Sequence, residues 1–313
     1  MVKRFIFKYW VLFFIGCLIL FMAITKVSIK ELWNSLNRLA LWQLAILVGL
    51  FFLLSGLNVG LRKYLLLSLG QNPRLKNLWL IHFTSMAAHY STPVKLGFPV
   101  TVLLLKKLEN IEYAVGTAAV LVELVVSTGV CGLIGVLGTF YYFSERRFVP
   151  LLIGFTLACI CGTFILGRIS RSNPGGRIGK SLTALREGLN SLSLGRLVGY
   201  FFMRTVLQLG APLNLFLLCI FFSSEISYLQ AVVTSSAAFF VGAVSMVPMG
   251  LGVREGSVLF YLARFGVAGP VAISIVGIQR IISTGITFVI GMLLGTLLGL
   301  KNMQEASARN FRE

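Results

Sequence analysis

This sequence predicts an all-α polytopic membrane protein. Apolar residues make up 57% of its 313 positions and charged residues only 12%, against roughly 25% charged in an ordinary soluble domain. Mean hydropathy is +0.89. Apolar runs of about 20 residues, the length a helix needs to cross a bilayer, recur along the chain.

About six full crossings are expected, near 5–24, 41–61, 113–142, 148–167, 197–222 and 269–299, within one integral membrane domain over 1–313. The first follows Lys3, Arg4 and Lys8 but lacks a small-x-small cleavage site, so it reads as an uncleaved span. Two further segments, 77–107 and 228–265, are each broken midway by Pro and Gly. Each break leaves a piece too short to span, so both read as re-entrant hairpins, whose irregular backbone must be satisfied by protein or a wet cavity.

Positive charge orients this layout. With the N-terminus inside, nineteen cations face the cytoplasm and five (Lys26, Lys30, Arg38, Arg146 and Arg147) face outward. That places both termini on the cytoplasmic side of the cell membrane. Arg204, Arg254, Arg264 and Arg280 remain at membrane depth. The net charge of +18 therefore belongs mostly to loops facing anionic lipid, and nucleic acid is not an expected partner. The polar loop 168–196 carries apolar residues at helical spacing and should lie along the cytoplasmic interface, as 29–39 should outside.

Enzymatic chemistry finds little support. The ten acidic residues are all Glu, no phosphate-binding Gly-x-x-x-x-Gly-Lys loop occurs, and the five Cys all fall in apolar segments as packing residues. His82 and His89 lack acidic or thiol company at ligand spacing, so no metal and no cofactor is expected.

The two broken segments resemble one another. "STPVKLGFP" (91–99) aligns with "SMVPMGLGV" (245–253), pairing Pro93 with Pro248 and Gly97 with Gly252. Further on, "VELVVSTGV" (122–130) aligns with "IQRIISTGI" (278–286), pairing Glu123 with Gln279 and Leu124 with Arg280. We read a duplication: unit one about 77–142, unit two about 228–299. Each unit adds one crossing and two lie between, so the second unit should be inverted, as in many transporters.

Arg254 and Glu255 follow Gly250 and Gly252, where a half-helix would aim free N–H groups and its positive dipole end at the break. A guanidinium there suits forked recognition of phosphate. The same two residues also suit a buried network that holds the hairpin, Glu255 as a first-turn cap. Glu123 and Arg280 should meet as a pair across the pseudo-twofold axis. Arg204, Gln208 and Asn214 form a polar stripe. His89 and Lys95 flank the Pro93–Gly97 break as a counterpart of the Arg254 site.

The order of Pro93 and Gly97, Glu123, "VPMGLGVREG" (247–256) and Arg280 resembles the flippase-like family, the transmembrane region of lysylphosphatidylglycerol synthases. The resemblance covers nearly the whole chain and is most specific over 248–256. It implies two repeats around a central cavity and movement of a phospholipid or polyprenyl-linked glycolipid between leaflets. It implies roles for Pro248, Gly250, Gly252, Arg254, Glu255, Glu123 and Arg280. Phe98 stands where the family commonly has an acid, and Leu124 where it commonly has Arg. No aminoacyl-transferase domain is recognisable in the 313 residues, so synthesis of the lipid is not expected.

The expected function is translocation of an anionic lipid, with membrane lipids as partners and a homo-oligomer as a further expectation. Its rivals are a secondary transporter of a small anion and a non-transporting membrane scaffold or partner subunit.

Overall fold

The computed structural model of the chain describes residues 37, 39–91, 97–143, 154, 192–245, 247, 250 and 252–310. The elements within them are helices: α1 (Leu41–Ser68), α2 (Leu75–Ser91), α3 (Gly97–Glu109), α4 (Tyr113–Phe143), α5 (Leu194–Gly210), α6 (Leu213–Phe221), α7 (Tyr228–Val244), α8 (Val253–Arg264), α9 (Gly269–Arg280) and α10 (Ile286–Asn310). A wide π-type turn, Ile281–Gly285, joins α9 to α10.

Four stretches among the described residues are long and apolar enough to cross a membrane: Leu41–Ser68, Tyr113–Phe143, Leu194–Phe221 and Gly269–Leu298. Their outward faces expose large apolar residues such as Leu53, Leu137, Phe202 and Leu293. The protein is a polytopic helical membrane protein. The crossing expected at 5–24, that at 148–167 apart from residue 154, the stretch 29–36 and nearly all of the loop 168–196 lie outside the described residues.

Two boundaries differ from expectation. The helix expected to end at 61 runs to Ser68, because nothing in "LRKYLLLSL" breaks it before Gly70. There Gly70, at φ 76°, lets its own N–H reach Leu67 O (3.0 Å) and the Gln71 N–H reach Leu66 O (2.9 Å), a Schellman end. Arg196 Nη1 donates to the last carbonyl, Ser68 O (3.1 Å). The expected span 197–222 divides at Ala211-Pro212 into α5 and α6, since proline offers no N–H to the helix ladder.

The broken segments fold as two pairs of short helices. In the first, Glu109 at the end of α3 accepts from Asn77 Nδ2 (2.6 Å) and from the Arg74 N–H (3.1 Å) at the start of α2. The chain thus returns to the level it left. At 1.5 Å per residue, the 17 residues of α2 and 13 of α3 reach about 25 and 20 Å, short of a hydrocarbon layer of about 30 Å. The second pair is α7, opened by a Ser227–Gln230 capping box, and the 12-residue α8.

The two units pack reciprocally. The most extensive helix contacts in the described chain join α4 of unit one to α7 of unit two, and α10 of unit two to α2 of unit one. Both seams depend on glycine. A Cβ on Gly135 would lie 2.7 Å from the backbone of Ala237, and one on Gly291 would lie 2.2 Å from Phe83 O. These glycines are 156 positions apart, the same separation as Ser127 and Ser283 in the aligned motifs (291 − 135 = 283 − 127). One apolar core gathers around α6, α7, α8 and α9 and another around α1, α2, α3 and α4.

Between the halves, Tyr261 on α8 bonds the hydroxyl of Thr139 on α4 (2.5 Å), and Thr139 donates in turn to Gly135 O (2.5 Å). The tyrosine is therefore the donor to Thr139. Tyr261→Phe should lower thermal stability in detergent by roughly 0.5–1.5 kcal/mol, because it removes a donor and leaves none stranded.

Candidate functional site

The second break is built from glycine geometry. Gly250 (φ 63°) and Gly252 (φ 76°) occupy the left-handed region, where a side chain would be strained. A Cβ on Gly250 would meet Gly242 Cα of α7 at 3.0 Å, so the two arms touch through backbone. This approach delivers α8 with its first turn at the break. Glu255 Oε2 accepts the Gly252 N–H (2.7 Å), which satisfies one of the orphan amides of that helix start.

The other oxygen of Glu255 accepts from Arg280, which forms a salt bridge with it. Arg280 Nη1 also donates to Thr284 Oγ1 (3.0 Å), within the wide turn that follows α9. Glu255 is thus engaged as both cap and counter-ion. The neighbouring Arg254 has no carboxylate partner among the described residues; its guanidinium lies over the Phe239 ring at 5.8 Å. Arg254 lies within electrostatic reach of Arg280, as does Tyr90 at the end of α2. Tyr90 of the first broken segment and Arg254 of the second therefore both act on Arg280.

Glu123 does not pair with Arg280. Its oxygens accept from Arg62 Nε and Nη2 of α1, both at 3.0 Å, in a forked pair with side chains 11% and 24% exposed. The expectation failed because it took the pair to follow the repeat symmetry. The counterpart of Arg280 in unit one is Leu124 and that of Glu255 is Val100, so unit one cannot copy the unit-two pair. Glu123 takes its cation from α1 instead, outside both units.

Arg62 was expected in a cytoplasmic loop and lies inside a continuous helix. The absence of any Gly or Pro between Arg62 and Gly70 was the signal that could have placed it there. His82 joins the same group, within electrostatic reach of Arg62 and Glu123. Arg204 on α5 donates to Asn58 Oδ1 on α1 (2.7 Å) and also acts on Glu123. The expected stripe on 197–222 is divided: Gln208 donates to Ser236 (3.4 Å) and Asn214 to Leu47 O (3.4 Å).

His89 sits in the last turn of α2, beside the first break as expected. Gly97 presses on it so closely that a Cβ there would lie 2.5 Å from His89 Cβ, and its ring meets Phe98 edge-on at 5.4 Å. Lys95 and Pro248 lie outside the described residues.

These features define a multi-pass helical membrane protein with charge buried where its broken helices meet. The chain belongs to the family described as the lysylphosphatidylglycerol synthase TM region, whose model matches residues 9–291. No curated protein gives a significant match.

Proposed function

We propose that this protein is a non-enzymatic lipid translocase. It carries the phosphate-bearing headgroup of an anionic phospholipid or polyprenyl-linked glycolipid past the two broken segments while the acyl chains stay in the bilayer. Both segments would be re-entrant, entering from opposite faces in an inverted repeat, with the termini cytoplasmic. Membership of a family named for a lipid synthase region supports lipid as the substrate class.

The observation that carries the reading is the surplus cation at the second break. Arg280 is neutralised by Glu255, but Arg254 beside it has an aromatic face and, among the described residues, no carboxylate. A half-buried charge of this kind at membrane depth is expensive and calls for a partner. A phosphate oxygen arriving at the start of α8 would meet the guanidinium fork and the positive end of the helix together. Glu255 positions Arg280 and shapes the field, while Gly250 and Gly252 form the turn that presents the start of α8.

Arg254→Gln in reconstituted vesicles should slow transbilayer movement of labelled phosphatidylglycerol by about tenfold or more, equivalent to one lost charge-assisted contact. Elution as a folded species should be unchanged. Wild-type rates in that variant would remove Arg254 from the mechanism. Vesicles that instead accumulate a soluble anion would favour the small-anion transporter.

A further inference from the structure

We propose that Arg62, Arg204 and His82 form a second phosphate-binding site, distinct from the Arg254 site and built mainly outside the second unit. Only the source of the phosphate, a lipid headgroup, rests on the translocase reading.

Three buried nitrogens in this cluster lack a hydrogen-bond partner among the described residues: Arg62 Nη1, Arg204 Nε and His82 Nδ1. Their side chains come from α1, α5 and α2, and all three act electrostatically on Glu123 of α4. The Tyr200 hydroxyl lies in the same field, within reach of Arg62, Arg204 and Glu123. With His82 neutral, two guanidiniums face one carboxylate, and Glu123 already has both oxygens on Arg62. Asn58 gives Arg204 a neutral acceptor only. One positive charge and several donors are left over.

A tetrahedral oxyanion matches that remainder. It brings negative charge and several acceptor oxygens, and so can take one N–H from each guanidinium and one from the imidazole tautomer protonated at Nδ1. A single added carboxylate, with two oxygens, would serve fewer donors. The cluster also connects to the first site: Cys131, on α4, lies within electrostatic reach of both Arg204 and Arg254. Two phosphate sites beside one helix would provide successive resting points for a headgroup.

The test uses the full chain in phosphatidylcholine nanodiscs. Retained short-chain phosphatidylglycerol is counted by native mass spectrometry, and inorganic phosphate is titrated in parallel. Wild type should retain two phosphatidylglycerol molecules, Arg204→Gln one, Arg254→Gln one and the double variant none. Arg204→Lys, which keeps the charge but not the fork, should weaken one site about tenfold. Asn58→Asp guards against misfolding of the Arg204 variants, because it leaves every cation in place and gives Arg204 an internal counter-ion. It should displace one lipid from a normally eluting protein.

Loss of one phosphate ion, rather than one lipid, in the Arg204 and Asn58 variants would support the site and reassign its ligand to a soluble anion. Arg204→Gln and Asn58→Asp both retaining two lipids at wild-type affinity would overturn the proposal. Failure of Arg254→Gln alone to change lipid movement bears on the translocase reading and leaves the second site standing.

Discussion

Arg62→Ala should lower the stability of the protein in detergent by roughly 3–5 kcal/mol, the usual consequence of removing one partner from a buried ion pair. The effect is large because of what remains. Glu123 would keep its charge in a helix interior, and both oxygens would lose the Arg62 nitrogens that now lie 3.0 Å away. Arg204 and His82 are near enough to soften the loss but not to replace the fork. Glu123→Leu alone strands Arg62 instead. The double variant Arg62→Met/Glu123→Leu should recover most of the loss, since a well-packed apolar pair of similar volume often matches a buried salt bridge. Thermal or denaturant unfolding of wild type, Arg62→Met, Glu123→Leu and the double variant gives the coupling directly. Additive losses would mean that the two side chains do not depend on each other.

Gly291→Val should be more severe, preventing assembly of a folded monomer. A Cβ there would lie 2.2 Å from Phe83 O and 2.5 Å from Ala87 Cβ, so α10 and α2 would have to separate along their seam. Ordinary overpacking costs roughly 1–3 kcal/mol, and here the obstacle is backbone, which cannot change rotamer. Gly135→Val should fail at the equivalent seam, against the Ala237 backbone at 2.7 Å. Gly129→Ala is the control: nothing lies within 4 Å of its Cβ, and alanine in a helix interior should add about 0.5–1 kcal/mol. Size-exclusion profiles of the three variants separate these outcomes. A normally folded Gly291→Val protein would mean that the α2–α10 seam is looser than described. In a bilayer, close approach at small residues supplies much of the force between helices, so these two seams hold the units together.

Much of this architecture can be read from hydropathy and punctuation. Long apolar runs mark the four long stretches, though Pro212 divides one of them, and Pro or Gly at 93–97 and 248–252 falls between the paired short helices. The spacing that aligns the two Ser-Thr-Gly triplets also aligns Gly135 with Gly291, each of which lets two helices meet through backbone.

The charge pairing was not legible, for a physical reason. Hydropathy ends a span where cations begin, so Arg62-Lys63 looks like a loop although the helix continues to Ser68. An ion pair between residues 61 positions apart leaves no periodic trace. Symmetry misled as well, because unit two pairs Glu255 with Arg280 within itself whereas unit one recruits α1. Arg254 was singled out from its place after the glycines, and the structure puts it over Phe239 beside the Arg280–Glu255 pair.

The most direct test is transbilayer movement by the purified wild-type chain. Vesicles carrying symmetrically distributed, acyl-labelled phosphatidylglycerol or phosphatidylcholine are exposed to a membrane-impermeant quencher. A cationic passage for phosphate headgroups predicts that the anionic label is lost beyond its outer-leaflet share, and faster than the zwitterionic one. Quenching that stops at the outer leaflet for both lipids, in vesicles shown to contain folded protein, would contradict it.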